Sequence, residues 1–137
     1  MDEIIKLIFK SSKTIALIGA STDSKKDSFI VMKYLQDNGF KVLPVNPFSL
    51  EEEILGEKIF NSIEDIHEDI DIVNVFRPMS ESLDLARKTI AANAKTFWLQ
   101  LNIKSPEAKK IIELNNINFI EDKCTKKEHE RLFDSLL

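Results

Sequence analysis

The feature that most restricts the fold of this chain is a regular alternation of short apolar runs with amphipathic segments. The apolar runs predict β-strands at 13–21, 41–45, 69–76, 95–101 and 117–122. Segments with helical spacing predict helices at 2–10, 28–39, 62–68, 80–94, 105–116 and 126–133. Parallel strands need crossover connections, and helices supply them. The pattern therefore predicts a single α/β domain over 1–137, Rossmann-like, with a parallel sheet and helices on both faces.

Length and charge exclude several other classes of protein. A closed (β/α)₈ barrel needs about 200 residues or more, and this chain has 137. The net charge of −4 argues against a nucleic-acid or anionic-membrane surface, which needs a basic face. The single cysteine excludes an internal disulfide and suits a reducing compartment. No apolar run approaches the roughly 20 residues of a membrane span. We therefore expect a cytoplasmic protein.

In open parallel sheets the ligand lies beyond the carboxyl ends of the strands, where the strand order reverses. The sequence places five polar loops at such ends. They are "GASTDSKKDS" (19–28), "NPFS" (46–49), "FRPMS" (76–80), "QLNIKS" (100–105) and "DKCTKK" (122–127).

The first of these loops has the composition of a phosphate-binding loop. Gly19 allows a sharp turn or a close approach to a ligand, and two lysines, Lys25 and Lys26, add positive charge. Ser28 is predicted to cap the next helix, whose N-terminus would favour an anion. A solvated polar loop with an ordinary serine cap explains the same residues. The full G-x-G-x-x-G pattern is absent.

The end of the second strand carries an amide where a nicotinamide-binding domain has a carboxylate for the ribose. Asn46 cannot supply that charge, and Pro47 fixes the backbone into a rigid, apolar lip on which an adenine could lie. A simple strand-terminating turn is the alternative. Together with the lysines, a pocket without a carboxylate favours an ADP moiety that carries an additional phosphate over NAD. The following run, Glu51–Glu53, is expected to be a solvated face.

The segments "PVNP", "EEEILGEKIFNSIEDI", "DIVNVFRP" and "FWLQLNI" occur in an order that resembles the small stand-alone CoA-binding proteins of bacteria. These proteins are related to the CoA-binding Rossmann-like domain of succinyl-CoA synthetase α subunits. The resemblance runs from Thr14 to Leu132. It implies a five-stranded parallel sheet that binds coenzyme A at its carboxyl edge, and it implies no known reaction. The synthetase also needs a second domain with a phosphohistidine, for which 137 residues leave no room.

The resemblance also implies which residues contact the ligand. Gly19, Ala20 and Ser21 would line the phosphates, Lys25 and Lys26 would face the phosphate groups including the 3′-phosphate, and Ser28 would cap the helix. Val45, Asn46 and Pro47 would border the adenine; Phe76, Arg77 and Pro78 the middle of the ligand; Gln100 the pantetheine arm. The family more often has a basic residue and proline before the capping serine. Here Asp27 places a negative charge there.

Few residues suggest catalysis. Arg77 is a charged residue at an apolar strand end, a position that favours a ligand contact. Cys124 has lysines nearby that could make its thiol reactive, although a half-buried structural cysteine is the simpler interpretation. His67 and His129 have no cysteine or second histidine at metal-ligand spacing, so no metal site is predicted.

The sequence thus predicts non-catalytic binding of coenzyme A or an acyl-CoA, as a carrier, sensor or regulator. Two alternatives remain open at this point. One is a small NAD(P)- or nucleotide-dependent enzyme of the same fold. The other is an interaction subunit with a vestigial pocket, for which Asp27 is the best support. We expect neither a nucleic acid nor a membrane as a partner.

Overall fold

A computed structural model describes residues 1–133 as an α/β domain. Its strands are β1 (Thr14–Ile18), β2 (Lys41–Val45), β3 (Glu53–Ile54), β4 (Glu57–Lys58), β5 (Ile72–Val75), β6 (Thr96–Leu99) and β7 (Asn118–Ile120). Its α-helices are α1 (Asp2–Ser11), α2 (Asp27–Asp37), α3 (Ser82–Ala91), α4 (Pro106–Leu114) and α5 (Thr125–Phe133). Two short 3₁₀ helices cover Ile63–Asp65 and Met79–Glu81.

Five strands form one parallel sheet in the order β2-β1-β5-β6-β7. After β2 the chain passes back across β1 to begin β5, so the strand order reverses between β1 and β5. Ile18, the last residue of β1, is in register with Val45 of β2 and with Val75 of β5. The predicted Rossmann-like parallel sheet is confirmed, and these three residues mark the carboxyl edge at which sheets of this kind commonly bind ligands.

The sheet is covered on both faces because its central strands are apolar on both sides. Ile15 and Leu17 pack with residues of α1 and α2 on one face. Their neighbours Ala16 and Ile18 pack with residues of α3 and α4 on the other. Successive side chains of a strand point to opposite faces, so a continuous apolar run can bury two layers of helices. No helix within residues 1–133 is long and apolar enough to cross a membrane.

The segment that follows β2 contains a hairpin that the sequence analysis did not predict. β3 and β4 pair antiparallel, with Glu53 opposite Lys58. The two residues between them, Leu55 and Gly56, have φ of 50° and 83°, as a tight hairpin turn requires. Glu51 to Glu53 are exposed as expected, whereas Ile54 is buried. The hairpin therefore anchors an otherwise solvated segment to the core.

The helix starts were predicted with mixed success. Ser105 caps α4 as predicted, since its Oγ accepts a hydrogen bond from the Ala108 N–H at 3.1 Å. Ser28 does not cap α2, and that prediction was wrong. The helix begins at Asp27 with Lys26 as its N-cap residue, and Ser28 is buried in the first turn. A turn in the preceding loop, closed by the Lys26 N–H on the Asp23 carbonyl at 3.0 Å, brings the chain into the helix earlier.

Candidate functional site

Two clefts lie at the carboxyl edge of the sheet, one on each side of the β1/β5 reversal. The first has a volume of about 110 Å³ and is lined by Ile18, Gly19, Val45, Asn46, Pro47, Phe48, Asn61, Ser62, Ile63, Arg77, Glu81, Asp84, Leu85 and Lys88. The second has a volume of about 340 Å³ and is lined by Asp27, Ile30, Val31, Phe76, Gln100, Leu101, Asn102, Ile103, Cys124, Lys126 and Lys127. The consecutive residues Phe76 and Arg77 line one cleft each, so the two clefts adjoin where β5 ends.

Gly19 holds the loops after β1 and β5 close together. Its φ is +89°, and a Cβ at this position would lie 2.8 Å from the Phe76 carbonyl oxygen. The Phe76 N–H in turn donates to the Ile18 carbonyl at 2.8 Å. A side chain at position 19 would be strained and would collide with this backbone. The glycine therefore allows the two loops to meet at the floor between the clefts.

Asn46 ties the loop after β2 to the loop after β1. Its Nδ2 donates to the Ala20 carbonyl at 2.8 Å, and its Oδ1 accepts from the Phe48 N–H at 2.8 Å. Pro47 and Phe48, between these contacts, are exposed along the rim of the first cleft. The amide thus shapes the rim through both of its polar atoms. A carboxylate could not donate to Ala20.

Arg77 is held at the first cleft by Glu81. The guanidinium Nη2 lies 2.7 Å from Oε2 of Glu81, and Nε lies 3.1 Å from Oε1. This two-point contact raises the pKa of Arg77 above its ordinary value. The Arg77 side chain is 37% exposed, and its Nη1 makes no hydrogen bond with the part of the chain that the structure describes. A fixed cation with a spare donor can bind an anionic group of a ligand.

The loop after β1 is partly closed by hydrogen bonds between its own residues, while Thr22 and Ser24 are exposed. The Oγ of Ser21 accepts from the Asp23 N–H at 3.0 Å, and Oδ1 of Asp23 accepts from the Lys25 N–H at 2.9 Å. The side chains of Lys25 and Lys26 are exposed. Neither residue is part of either cleft lining, so any contact with a ligand would be made from outside the linings.

The second cleft has a buried polar floor. Gln100 Oε1 accepts from Asn74 Nδ2 at 3.0 Å and from the Thr125 backbone N–H at 3.2 Å. The Thr125 hydroxyl donates to Asn74 Oδ1 at 2.9 Å. All three residues are buried, with Asn74 and Thr125 fully so. This network links β5, the residue that follows β6 and the first residue of α5.

Cys124 is half-buried at the wall of the same cleft, beside Thr125. Its side chain packs against the apolar cluster beneath α2 and α5. Lys126 and Lys127 lie on the same wall, and Asp27 at the start of α2 also lines the cleft. Lys126 and Lys127 therefore line the same cleft as Asp27, the acid that stands where the family more often has proline.

The structure divides the predicted site residues into three groups. The first cleft takes Gly19, Val45, Asn46, Pro47 and Arg77, and the second takes Phe76 and Gln100. The lining of neither cleft includes Ala20, Ser21, Lys25, Lys26, Ser28 or Pro78. Ala20 is buried, and its carbonyl oxygen accepts the hydrogen bond from Asn46, which lines the first cleft. Contact of these thirteen residues with a ligand stays a prediction.

Several lining residues were missed. Asp84, Leu85 and Lys88 belong to α3, and nothing in the local sequence distinguishes them from other helix residues. Asn74, the hydrogen-bond partner of Gln100, was also missed. It did carry a signal, because it is an isolated amide within the apolar run "IVNVF". A buried amide needs polar partners, and this requirement points to other buried polar residues in neighbouring elements.

The histidines lie away from the clefts. His67 is exposed, and His129 is buried with its Nδ1 2.7 Å from the Tyr34 hydroxyl and its ring stacked on Phe133. Across residues 1–133 no group of three His, Cys, Asp or Glu side chains is placed to hold a metal ion.

Comparisons with known proteins find a matching family, a sequence relative and a structural neighbour. The model of a family described as "CoA binding domain" matches residues 13–130. An uncharacterised protein of Bacillus subtilis, YneT, is 36% identical over 125 residues, 91% of each chain. A hypothetical protein of Pyrococcus horikoshii has a solved structure with 38% identity and a TM-score of 0.91, covering 96% of this chain and 92% of that one.

A partial match extends to much larger enzymes. The ADP-forming acetate–CoA ligase of Methanocaldococcus jannaschii is 38% identical over 66 residues. That alignment covers 48% of this chain and only 9% of the ligase. The similarity therefore concerns one region of the ligase and leaves most of that enzyme without a counterpart here.

Proposed function

The chain belongs to the CoA-binding domain family, and from this membership we propose that it binds coenzyme A or an acyl-CoA across the two clefts without transforming it. The observation that carries the proposal is the pair of adjoining clefts at the β1/β5 reversal, with Phe76 in one and Arg77 in the other. Coenzyme A is long, with a nucleotide at one end and a flexible arm at the other. A ligand of this shape suits two clefts that meet at a floor of backbone.

The first cleft suits the nucleotide end. Pro47 and Phe48 offer an exposed apolar rim to a flat base, and aromatic side chains favour stacking on such rings. Arg77, held by Glu81, offers a cation at the floor between the clefts, where the diphosphate would pass. Lys25 and Lys26 would reach the 3′-phosphate from outside.

The second cleft suits the pantetheine arm. Its walls include Ile30, Val31 and Phe76, and one buried amide, Gln100, stands at the floor. Ligand sites commonly combine apolar walls with a few placed polar groups. The arm is mostly apolar and carries two amides, which matches this lining.

The choice of coenzyme A over NAD is supported by Asn46. Both polar atoms of its side chain are engaged, with Ala20 and with Phe48. No carboxylate follows β2 directly, whereas a NAD site places one there to bind the ribose diol. A nicotinamide cofactor would therefore lack its usual anchor.

The residues that line the clefts support the proposal that the protein does not transform its ligand. The linings, as far as the described chain forms them, include Cys124 but no histidine. A cysteine nucleophile is ordinarily activated by a neighbouring base. Binding as a carrier, sensor or regulator needs no such pair. The ligase that aligns with this chain over 66 residues is named for acetate and coenzyme A; for this chain we propose only the binding of coenzyme A.

Two measurements test the proposal. Native mass spectrometry of the purified protein should show a retained mass equal to coenzyme A or an acyl-CoA, and calorimetry should rank coenzyme A above NAD. Incubation with acetyl-CoA followed by chromatography should recover the thioester intact, at the rate of its loss in buffer. Tighter binding of NAD would reject the ligand, whereas protein-dependent loss of acetyl-CoA would reject only the non-catalytic role.

A further inference from the structure

The loop that follows β6 forms part of the second cleft as a tight turn. Its residues 100–103, the wall turn, all line this cleft. The Ile103 N–H donates to the Gln100 carbonyl at 3.0 Å and closes the turn. Asn102 has a φ of +70°, a left-handed conformation that suits the third position of a turn and that asparagine tolerates. Leu101 is 47% exposed, so the wall turn stands out from the core and depends on contacts outside itself for a fixed position.

Asp122, in the loop after β7, holds the wall turn with two hydrogen bonds. Its Oδ1 accepts from the Asn102 N–H at 2.7 Å. Its own N–H donates to the Ile103 carbonyl at 3.1 Å. Asp122 is not among the described residues that line either cleft. It therefore contacts the wall of the second cleft without being part of the lining.

The loop that carries Asp122 is itself anchored to the core and to the end of the wall loop. Nε1 of the fully buried Trp98 donates to the Lys123 carbonyl at 2.8 Å. Oε1 of Glu121 accepts from the Ser105 N–H at 3.1 Å. Asp122 has a φ of +57°, which aspartate adopts more readily than most residues with a side chain. The left-handed backbone and the short carboxylate together explain why an aspartate suits this position.

We infer that Asp122 is a positioning residue of the second cleft, whose hydrogen bond to the Asn102 N–H fixes the wall turn for the arm of the bound ligand. This inference rests on the proposed function, which assigns the arm to this cleft. The apolar lining combines Leu101 with Ile30 and Val31 of α2, so the position of the wall turn sets how closely these side chains enclose the arm. A wall that is ordered before binding spares the ligand the cost of ordering it. A wall that is correctly placed only part of the time lowers the apparent affinity by that fraction.

The hydrogen bond of Oδ1, and not the charge of Asp122, is expected to carry this role. The charged partner of Asp122 is Lys104, whose Nζ lies 3.7 Å from Oδ2 and whose side chain is 65% exposed. Exposed ion pairs of this kind contribute little. A neutral side chain that offers an oxygen to the Asn102 N–H should therefore replace the aspartate.

Two substitutions of Asp122 separate the side-chain contact from the backbone conformation. Asp122→Gly removes Oδ1 but adopts a positive φ without strain, so this variant should fold. Asp122→Asn keeps an oxygen for the Asn102 N–H and tolerates the same φ. Asn116→Gly is the matched control, because Asn116 also has a φ of +57° and lines neither of the two clefts.

Calorimetry with coenzyme A and with 3′,5′-ADP, the nucleotide portion without the arm, measures the effect. The affinity for coenzyme A should fall about 3- to 10-fold in Asp122→Gly, as expected for the loss of one hydrogen bond that orders the wall. It should stay within about twofold in Asp122→Asn and in Asn116→Gly. The affinity for 3′,5′-ADP should stay within about twofold in all three variants.

Amide hydrogen exchange followed by NMR gives a readout that a merely structural role would not move. The Asn102 N–H should exchange faster in Asp122→Gly and at the natural rate in Asp122→Asn, while the amides of the central strands keep their protection in both. Selective loss of protection at the wall turn, together with selective loss of affinity for the arm, would support the inference.

Unchanged affinity for coenzyme A in Asp122→Gly would overturn the inference, as would an equal loss in Asp122→Asn or an equal loss for 3′,5′-ADP. An Asn102 N–H that exchanges at the natural rate in Asp122→Gly would overturn it as well. If the natural protein does not bind coenzyme A, the proposed function itself fails before any variant is compared. Binding by the natural protein that no variant changes rejects only the role of Asp122.

Discussion

Asn46 Nδ2 donates a hydrogen bond to the carbonyl oxygen of Ala20 at 2.8 Å, and this contact joins the loops that follow β2 and β1. We predict that Asn46→Asp weakens coenzyme A binding about 5- to 10-fold, because the carboxylate keeps the acceptor for Phe48 but turns a donor into a repelled anion at Ala20. Calorimetry measures the change. Asn46→Ser is the control, since it is neutral and loses the tie without repulsion. A gain in NAD affinity larger than the loss for coenzyme A would contradict the proposed ligand.

Gly19 should tolerate a side chain far less than Gly39. Both have positive φ, +89° and +91°, but a Cβ on Gly39 would have no heavy atom within 4 Å. Gly39→Ala should cost about 1–2 kcal/mol from backbone strain alone. Gly19→Ala should cost about 3 kcal/mol or more, since its Cβ would also meet the Phe76 carbonyl oxygen. Urea unfolding measures both. Equal costs would mean that the loops after β1 and β5 separate easily.

The alternation of apolar and amphipathic segments was sufficient to predict the sheet, because buried parallel strands and covering helices leave periodic patterns. The hairpin was missed because β3 and β4 are two residues each, too short for any period to appear. The sequence singled out the Asn46–Pro47 pair as a ligand contact, and that contact stays a prediction. The hydrogen bond of Asn46 to Ala20 was not predictable, since it depends on a contact across 26 positions.

Residues on helices were the hardest part of the site to predict. Lys88 reaches the first cleft from the body of α3, and its sequence neighbours resemble those of any exposed helical lysine. Ser28 was assigned as a cap from its residue type and from the family resemblance, whereas a turn closed by Asp23 sets the start of α2. The side-chain network of Asn74, Gln100 and Thr125 joins a strand, a loop and a helix start that are far apart in the sequence, and no local pattern encodes it.

The contact between Asp2 and Arg131 predicts how stability responds to acid. Arg131 donates two hydrogen bonds to Asp2, at 2.9 and 3.0 Å, and these lower the pKa of Asp2 below its ordinary value. A carboxyl group whose pKa is lower in the folded state than in the unfolded state stabilises the fold at pH values above its unfolded-state pKa, about 4. This stabilisation is lost as the pH falls through the folded-state pKa. Asp2→Asn should therefore lower the Tm at pH 7 and have a diminishing effect below about pH 4.

Glu3→Gln is the matched control for Asp2, because it removes a neighbouring carboxylate whose nearest cation, Lys6, is 3.9 Å away. Thermal unfolding of the three proteins across this pH range measures the differences. A Tm difference for Asp2→Asn that persists unchanged in acid would show that the contact with Arg131 does not depend on charge.

The exposed lysines of the first loop should select for the 3′-phosphate. If Lys25 and Lys26 contact it, coenzyme A should bind about 10-fold more tightly than dephospho-coenzyme A, the low end for hydrogen bonds to charged groups because both side chains are exposed. Added salt should reduce the difference. Lys25→Ala with Lys26→Ala should remove most of the preference and leave dephospho-coenzyme A binding nearly unchanged.

The exposed pair Lys109 and Lys110 on α4 provides a control of equal charge away from both clefts. If replacing that pair by alanine reduces the preference equally, the effect is one of net charge. Equal affinity of the natural protein for coenzyme A and dephospho-coenzyme A would reject the assignment of Lys25 and Lys26.

Cys124 should form a reversible disulfide with the arm of the ligand, because its half-buried side chain lines the second cleft beside Lys126 and Lys127. With coenzyme A disulfide as the oxidant, the Cys124 thiolate attacks one sulfur, a protein–coenzyme A disulfide forms, and one coenzyme A thiolate leaves. Intact-mass analysis should show a single adduct that dithiothreitol removes and that Cys124→Ser lacks. Cystamine, a small disulfide without the nucleotide, is the matched reagent: it should react more slowly at equal concentration, since only coenzyme A disulfide is held by the clefts. Equal rates would assign the reaction to simple exposure of the thiol, and resistance of the folded protein to both reagents would make Cys124 purely structural.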